Sequence, residues 1–337
     1  MIFPHCEAAV VISSFMRSLF KASRTAALFV GSVVGAGFAT GQEIALFFGE
    51  DGVPSLVLSA LFMAFCAFIF LNMGERDPLF GPKAKVAADT VIALCSFAVY
   101  AAMIAGAEEL LRAGTGVSGL SVLIAVPLMF FTGKRISWVS GLNLLAVPFM
   151  VGIIAVVGAG CSGGNGASFH PLRALAYGGM NLLFSGALMM REGETLLPKE
   201  RIVAAALSGI MIFLMLFFMW RCVGSSTGTS MPFAEVAARE GLGIFASVAL
   251  LLAILTTMAS TAYLVTDRLS FFTNDPILSL PLVTFLGILT SSFGFAPIVR
   301  TTYPLVSALG LIATFVALFF FLFRSKEHRF DTKKKYG

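Results

Sequence analysis

The chain has 337 residues, of which 58% are hydrophobic and 12% are charged, and its formal net charge at pH 7 is +5. Soluble globular proteins carry about 25% charged residues, so charge this sparse excludes an ordinary soluble protein and predicts the lipid bilayer as a partner. The basic residues lie in short loops and near the chain ends, which argues against nucleic acid as a partner.

Apolar runs of about 20 residues recur along the chain, and as helices they are long enough to cross a hydrocarbon core about 30 Å thick. The sequence therefore predicts an all-α membrane protein with ten transmembrane helices. The predicted spans are residues 25–47, 54–73, 86–111, 117–133, 137–159, 172–190, 202–221, 243–266, 277–295 and 301–324. They form a transmembrane domain at 25–324, between a cytoplasmic segment at 1–24, with Met16 as an alternative start, and a basic cytoplasmic tail at 325–337.

Lysines and arginines are distributed unequally between the two sets of connecting segments. If both termini lie in the cytoplasm, 18 of the 23 fall in cytoplasmic segments. Cytoplasmic loops of membrane proteins carry an excess of these residues. The distribution therefore predicts a multi-pass protein with both termini inside.

The first predicted span contains glycines followed directly by polar residues. Residues 30–43 read VGSVVGAGFATGQE, and each glycine costs a helix about 1 kcal/mol relative to alanine. Gly31 and Gly35 could form a small-residue packing face, or the helix could unwind at this point. The polar residues Gln42 and Glu43 favour the break, because irregular backbone within a membrane occurs where it is buried in protein or lines a cavity.

A second glycine-interrupted segment lies five spans later, where residues 177–186 read YGGMNLLFSG. Interrupted spans at corresponding places in two halves are typical of inverted-repeat transporters, which bind substrate between the breaks. We therefore predict a 5+5 inverted repeat, with repeats at 25–159 and 172–324 and with spans 1 and 6 broken. The candidate substrate-binding residues at the two breaks are Gly35, Ala36, Gly37, Phe38, Tyr177, Asn181 and Ser185.

The stretch GAGFATGQE at residues 35–43, followed by Phe47 and Phe48, resembles the first span of the YkvI family. These are uncharacterised bacterial membrane proteins related to the amino acid–polyamine–organocation superfamily, which has the LeuT-type fold. The resemblance implies the 5+5 inverted repeat, transport of a small-molecule substrate and a location in the bacterial inner (cell) membrane. Because span 3 lines the site in this fold, Tyr100 and Ile104, which share a helical face, become further substrate-binding candidates.

The resemblance also implies a sodium site between spans 1 and 8. LeuT-type sodium symporters build it from two carbonyls three residues apart at the first break and an Ala-x-x-Thr/Ser-Ser/Thr signature in span 8. The matching positions are Gly31, Val34, Ala253, Thr256 and Thr257. Oxygen ligands of this kind suit a hard cation, although threonines in membrane helices also bond their own i−4 carbonyls. Some relatives use a span-5 lysine and protons instead, and no lysine falls between residues 138 and 159.

Placing a carboxylate near the bilayer centre costs about 2.5–3.5 kcal/mol of insertion free energy, so a carboxylate inside a span indicates a functional or structural role. Gln42 and Glu43 are gating or proton-carrying candidates, and the alternative for Glu43 is a near-interface carboxylate bonded to a neighbouring helix. Glu108 is either a gating candidate or one partner of a surface ion pair with Arg112. Charges at the inner ends of spans 3 and 6 are interfacial or belong to an inner gate: Asp89, Arg191, Glu192 and Glu194.

The segments predicted outside the membrane contain two further features. Cys161 and Cys222 both fall there, so a disulfide is possible. The outer loop at residues 223–242 predicts a short helix beginning near Pro232. A loop helix at this place often serves as an external lid in the LeuT-type fold.

Together these features predict a secondary active transporter of a small solute, an amino acid or a related amine, coupled to sodium by alternating access. A ligand-sensing receptor subunit with a transporter fold and a proton-coupled transporter or exchanger remain alternatives. An enzyme is not predicted, because the sequence contains no His- or Cys-based catalytic cluster and no P-loop. No cofactor is expected apart from bound Na⁺, and the sequence leaves the oligomeric state open.

Overall fold

A computed structural model describes residues 4–74, 82–132, 135–224, 232–273 and 276–335. Within them the regular structure is α-helical, apart from one isolated bridge between Asp51 and Ser168. The helices are α1 (Pro4–Val33), α2 (Ala36–Thr40), α3 (Gln42–Phe48), α4 (Val53–Met73), α5 (Pro82–Thr115), α6 (Leu120–Thr132), α7 (Ile136–Gly160), α8 (Pro171–Gly193), α9 (Pro198–Gly224), α10 (Pro232–Arg239), α11 (Gly243–Thr273), α12 (Pro276–Ser291) and α13 (Phe295–Lys335).

Six of the described helices are long and apolar enough to cross a membrane, namely α4, α5, α7, α9, α11 and α13. The shorter helices α6 and α12 are also apolar. Large apolar side chains on the outside of the assembly are largely exposed, for example Leu61, Leu123, Phe149 and Phe285. An all-helical membrane protein, as the composition predicts, is confirmed.

Each predicted span coincides with one helix except the first, which covers the end of α1 together with α2 and α3. The N-terminal segment, to which the sequence analysis assigns no secondary structure, is part of α1, which begins at Pro4. The short helix predicted in the outer loop is confirmed, since α10 begins at Pro232 and packs against α11, α9 and α2. Residues 225–231 of that loop lie outside the described residues.

The helix in the first predicted span is interrupted at two glycines. α1 ends at Val33, and Gly35 has extended backbone with φ −96° and ψ −171° before α2 begins. Gly41 then separates α2 from α3 with φ +85°, a left-handed conformation that glycine adopts without steric cost. Both interruptions fall inside the glycine-rich motif.

The break predicted in span 6 is wrong, because α8 runs as one helix over Pro171–Gly193. Its glycines serve close packing instead. A Cβ on Gly178 would lie 2.6 Å from Phe62 Cδ1, and one on Gly179 would lie 2.7 Å from the backbone of Leu311. These glycines therefore allow α4 and α13 to approach α8 more closely than a side chain would permit.

The interior of the assembly is formed around α1 and α8. α1 packs against α7, α8, α9 and α11, while α8 also packs against α4 and α13. Residues 177–189 of α8 are all buried, and so are residues 25–35, which cover the end of α1 and the two residues after it. The interruption after α1 therefore lies inside the protein, with side chains of several helices around it.

Candidate functional site

The interruption after α1 leaves backbone carbonyl groups that meet a side chain of α11. Thr257 Oγ1 lies 3.1 Å from the carbonyl oxygen of Val34 and 3.3 Å from that of Gly31. The hydroxyl has one hydrogen to share between these two acceptors. At least one carbonyl oxygen therefore keeps capacity for a further donor or a cation.

The neighbouring threonine behaves differently. Thr256 Oγ1 lies 3.0 Å from the carbonyl oxygen of Leu252 and 3.1 Å from that of Ala253. It bonds within its own helix, as threonines in membrane helices often do, whereas Thr257 bonds across to α1. The structure thus brings the predicted ligands together in two groups, with Thr257 beside the α1 carbonyls and Thr256 beside Ala253.

A small cavity of about 30 Å³ lies next to the interruption. Its walls come from α1, α3, α5, α8, α11 and α13, and they include the backbone of Gly35. The polar side chains in these walls are Ser32, Glu43, Asn181, Thr257 and Tyr303. The cavity has room for a water molecule or an ion, so a larger solute requires the surrounding helices to move apart.

A larger cavity of about 360 Å³ lies between α4, α5, α8 and α13, and its walls are mostly apolar. An ion pair between Arg268 and Asp89, 3.2 Å apart, contributes to its wall. Among the predicted substrate and cation ligands whose side chains the structure describes, none lines this cavity. The smaller cavity is therefore the one associated with the sequence motifs.

Glu43 is buried within the protein, with 4% of its surface exposed. The hydroxyl of Tyr303, on α13, donates a hydrogen bond to its carboxyl group. Among the described residues, Oε2 of this carboxyl has no hydrogen-bond partner. A Cβ on Gly37 would lie 2.5 Å from Glu43 Oε1 and 2.8 Å from the Tyr303 hydroxyl. Gly37 thus provides the space that Glu43, in the same sequence motif, occupies.

The α8 candidates share one side of their helix, but only Asn181 lines the small cavity. Asn181 Nδ2 donates to the carbonyl oxygen of Tyr177 at 3.0 Å, and Ser185 Oγ donates to that of Asn181 at 2.8 Å. The Tyr177 ring packs edge-on against the rings of Phe47 and Phe48, with centroid distances of 5.4 and 5.1 Å. Tyr177 therefore joins α8 to the end of α3.

Two candidates on α5 lie away from the small cavity. A Cβ on Gly287, in α12, would lie 2.6 Å from Tyr100 Cε1 and 3.2 Å from Ile104 Cδ1. Their neighbours Val99 and Met103 line the cavity instead. One residue corresponds to about 100° of rotation around a helix, so the sequence identified the helix but not its inner face.

The remaining motif residues have different environments. Phe38 is fully buried in the core, and Gln42 begins α3 with its backbone N 3.5 Å from Thr40 Oγ1. A Cβ on Gly35 would lie 3.4 Å from Thr257 Oγ1, so Gly35 lies beside the α11 threonine. The side chain of Ala36 lies outside the described part of the structure.

The glutamates at the end of α5 bond the starts of neighbouring helices. Glu108 accepts hydrogen bonds from the backbone N of Gly119 at 2.6 Å and of Ser121 at 3.2 Å. Glu109 accepts one from the backbone N of Phe295 at 3.2 Å. Carboxylates stabilise the unpaired N–H groups at helix N-termini. Glu108 therefore caps α6 and does not line the cavity.

Charged side chains connect α8 and α11 at the end of the bundle that the charge distribution predicts to be cytoplasmic. Arg191 Nη1 lies 2.6 Å from Asp267 Oδ1, and its guanidinium lies 5.4 Å from the centroid of the Tyr263 ring. Nearby, Ser140 on α7 donates to Glu192 at 2.9 Å. These contacts hold α8 against its neighbours on that side of the small cavity.

Comparison with curated proteins finds two Bacillus subtilis (strain 168) proteins of unassigned function. The uncharacterized protein YyaD is 23% identical over 314 residues, covering 84% of this chain and 92% of YyaD. The uncharacterized membrane protein YkvI is 24% identical over 327 residues, covering 86% of this chain and 93% of YkvI. No family model matches the chain. The similarity to YkvI is weak, and it agrees with the resemblance of residues 35–43 to the first span of the YkvI family.

Among solved structures, that of MhsT in complex with L-phenylalanine is similar to this chain with a TM-score of 0.53 and 14% identity. The match covers 89% of this chain and 87% of MhsT. This similarity concerns the fold alone. The chain has a LeuT-type arrangement of helices.

Proposed function

We propose that the protein is a secondary active transporter of a small solute and that sodium, bound at the interruption after α1, is its coupling ion. The observation that carries the proposal is the position of Thr257 between the carbonyl oxygens of Gly31 and Val34. A side chain from a distant helix meets the backbone groups at the interruption of α1. Ala253 and Thr256 add two oxygens on the same turn of α11.

The donor set suits sodium on chemical grounds. It consists of three backbone carbonyls and two hydroxyls, and hard cations prefer such oxygen ligands. α1 ends at Val33, and the extended backbone of Gly35 keeps the chain from continuing the helix, which frees the Val34 carbonyl from helical pairing. Bound sodium would take the place of the hydrogen bonds that Thr257 now makes to α1.

We propose ten membrane spans, with α6 and α12 as short spans and α1 and α8 as the two inner ones. Residues 25–33 of α1 and 177–189 of α8 are buried by neighbouring helices, including the polar residues Thr25, Ser32, Asn181 and Ser185. Such polar residues inside a membrane protein face the protein interior. The two repeats would be 25–159 and 172–324, with both termini in the cytoplasm of a bacterium and the chain in its inner membrane.

We propose that the ion pair of Arg191 with Asp267 acts as a gate on the predicted cytoplasmic side of the small cavity. Transport by alternating access would open this contact after the solute and sodium have bound. Because MhsT was solved with L-phenylalanine, an amino acid or a related amine is the solute class we propose for this chain.

Transport can be separated from ligand sensing with purified protein in proteoliposomes. We would measure counterflow of radiolabelled L-phenylalanine and of radiolabelled phenethylamine, with NaCl or with KCl at equal ionic strength. Sodium-dependent exchange of either solute supports the proposal. Exchange at the same rate in NaCl and in KCl would contradict sodium as the coupling ion. Binding of a solute without exchange would favour the ligand-sensing receptor.

A further inference from the structure

The carboxyl group of Glu43 has one oxygen without a protein partner. Tyr303 donates to this carboxyl, and Oε2 is buried without a hydrogen bond among the described residues. Burying a charged or polar oxygen without a partner destabilises the folded state. Because Glu43 lines the small cavity, a ligand in that cavity could supply the missing partner.

The described walls of the cavity contain no positively charged side chain. The remaining wall residues near Glu43 are apolar or neutral, including Val99, Met180 and Phe184. A carboxylate in such surroundings attracts a cation, since the interior screens charge weakly. The electrostatics of the cavity therefore favour a positively charged ligand over an anionic one.

The hydroxyl groups of the cavity already donate their hydrogens to the protein. Ser32 Oγ donates to the carbonyl oxygen of Phe29 at 2.7 Å, Thr257 is shared between two α1 carbonyls, and Tyr303 donates to Glu43. Asn181 Nδ2 is directed to Tyr177. The hydroxyl groups of the cavity therefore have acceptor lone pairs to offer a ligand and no free hydrogens, which suits a ligand rich in donors.

An alkylammonium group meets both requirements. It carries a positive charge and three N–H donors. Once the surrounding helices have moved apart to admit the solute, its carbon chain would contact the apolar wall formed by Val99, Met103 and Phe184. A carboxylate-bearing solute would need free donors, which the hydroxyl groups do not provide, and it would lie close to the Glu43 carboxylate.

We propose that Glu43 binds the ammonium group of the solute through Oε2, and that the preferred substrates are small organic amines without a carboxylate. This inference rests on the proposed transport function and narrows its solute class. Gly37 contributes by leaving room for the Glu43 carboxyl, and Tyr303 contributes by holding Oε1 so that Oε2 is directed to the ligand.

The inference is tested by comparing solutes that share a carbon skeleton and differ in charge. We would use phenethylamine, L-phenylalanine and 3-phenylpropionate, together with isoamylamine, L-leucine and 4-methylpentanoate. Each is added at millimolar concentration, in constant NaCl, to the purified full-length protein, and the melting temperature is measured. The amines should raise the melting temperature most. A larger response to the zwitterions or anions, or no response to either amine, would overturn the proposal.

Variants at Glu43 then assign the preference to its carboxylate. Glu43→Gln keeps the shape and removes the charge, and it should weaken amine binding at least about tenfold, equivalent to about 1.4 kcal/mol. Tyr303→Phe keeps the carboxylate and should keep the preference for amines. If Glu43→Gln binds amines as the wild type does, the proposal is wrong. Glu43→Asp serves the same purpose if the glutamine variant fails to fold, and a shorter carboxylate should weaken binding without abolishing the preference.

The sodium response distinguishes this proposal from the transport function on which it rests. Sodium could raise the melting temperature of both the wild type and Glu43→Gln, while the amines raise that of the two proteins equally. In that case the amine inference fails and the proposed sodium site is retained. If sodium has no effect on either protein, the proposed coupling fails, while the charge comparison among solutes still decides the role of Glu43.

Discussion

Asn143 lies directly against Gly31, so that a Cβ placed on Gly31 would be 1.5 Å from Asn143 Oδ1. The asparagine belongs to α7 and is fully buried, and its Nδ2 donates to the carbonyl oxygen of Val139 at 2.8 Å. Its Oδ1 has no hydrogen-bond partner in the described chain. An amide oxygen of α7 therefore lies beside one of the carbonyl groups to which we assign sodium.

Gly31→Ala should destabilise the protein, because the new methyl group collides with the Asn143 amide. Overpacking of a filled interior costs about 1–3 kcal/mol, and the displaced backbone should also weaken the response to sodium. The matched control is Gly152→Ala on α7, where a Cβ meets no atom within 4 Å. Thermal unfolding of the two variants in detergent measures the difference. A Gly31→Ala protein as stable and as sodium-responsive as the control would contradict the packing described for α1 and α7.

Asn143→Leu should separate stability from cation binding. Removing the buried amide oxygen that lacks a partner should stabilise the folded state, while losing the Nδ2 hydrogen bond to the Val139 carbonyl should destabilise it, so we expect the free energy of unfolding to change by no more than about 1 kcal/mol. The same change removes an oxygen beside Gly31 and should weaken sodium affinity several-fold. Sodium titrations of the melting temperature report both quantities. Lower stability with unaltered sodium affinity would show that the amide has only a packing role.

Gly37→Ala should disturb the Glu43 carboxyl without preventing membrane insertion. The added Cβ would lie 2.5 Å from Glu43 Oε1 and 2.8 Å from the Tyr303 hydroxyl, so the carboxyl or the tyrosine must shift. We expect solute binding to fall at least about tenfold, and the bulkier Gly37→Leu to abolish it. Gly114→Ala, with no atom near the new methyl group, is the control for expression and insertion. Normal solute binding by Gly37→Ala would argue against a role for the Glu43 carboxyl and the Tyr303 hydroxyl in binding the solute.

Cys161 and Cys222 should cross-link readily under mild oxidation. Their sulfur atoms lie 2.7 Å apart, at the end of α7 and within the last turn of α9. A diamide treatment would accept two electrons and two protons from the thiols and leave one disulfide. Peptide mass spectrometry without reduction should find the linked pair, while Cys66 and Cys95, buried elsewhere, remain thiols. Linkage of another pair, or of none, would contradict the described neighbourhood of α7 and α9.

The positions of the helices could be predicted from the sequence, because long apolar runs bounded by glycine, proline and charge have few alternatives in a membrane. The interruption after α1 could also be located, since glycines and polar residues occur together in residues 30–43. The proximity of Thr257 to Gly31 and Val34 could be predicted from a residue spacing that LeuT-type symporters share. The distances between the Thr257 hydroxyl and the two carbonyl oxygens are known only from the structure.

Other features depend on neighbours that the sequence does not identify. Glycines that break a helix and glycines that let helices pack closely look alike in a sequence. The structure shows that α8 is one continuous helix. It also shows that Phe62 and Leu311, which are distant in sequence, pack against its glycines. The inner face of α5 was misassigned because a helix buried on most sides has little periodicity. Tyr303 was missed because it is far from Glu43 along the chain, and no local pattern marks it as a partner.

The most direct test of the proposed sodium site is the effect of NaCl, against KCl at equal ionic strength, on the melting temperature of Thr257→Val. Sodium at 100 times its dissociation constant should stabilise the wild type by about 2.7 kcal/mol. Thr266→Val, on the same helix and with its hydroxyl bonded to Ala262, should keep this response, whereas Thr257→Val should lose it. If Thr257→Val responds to sodium as the wild type does, the ion does not bind at the interruption of α1.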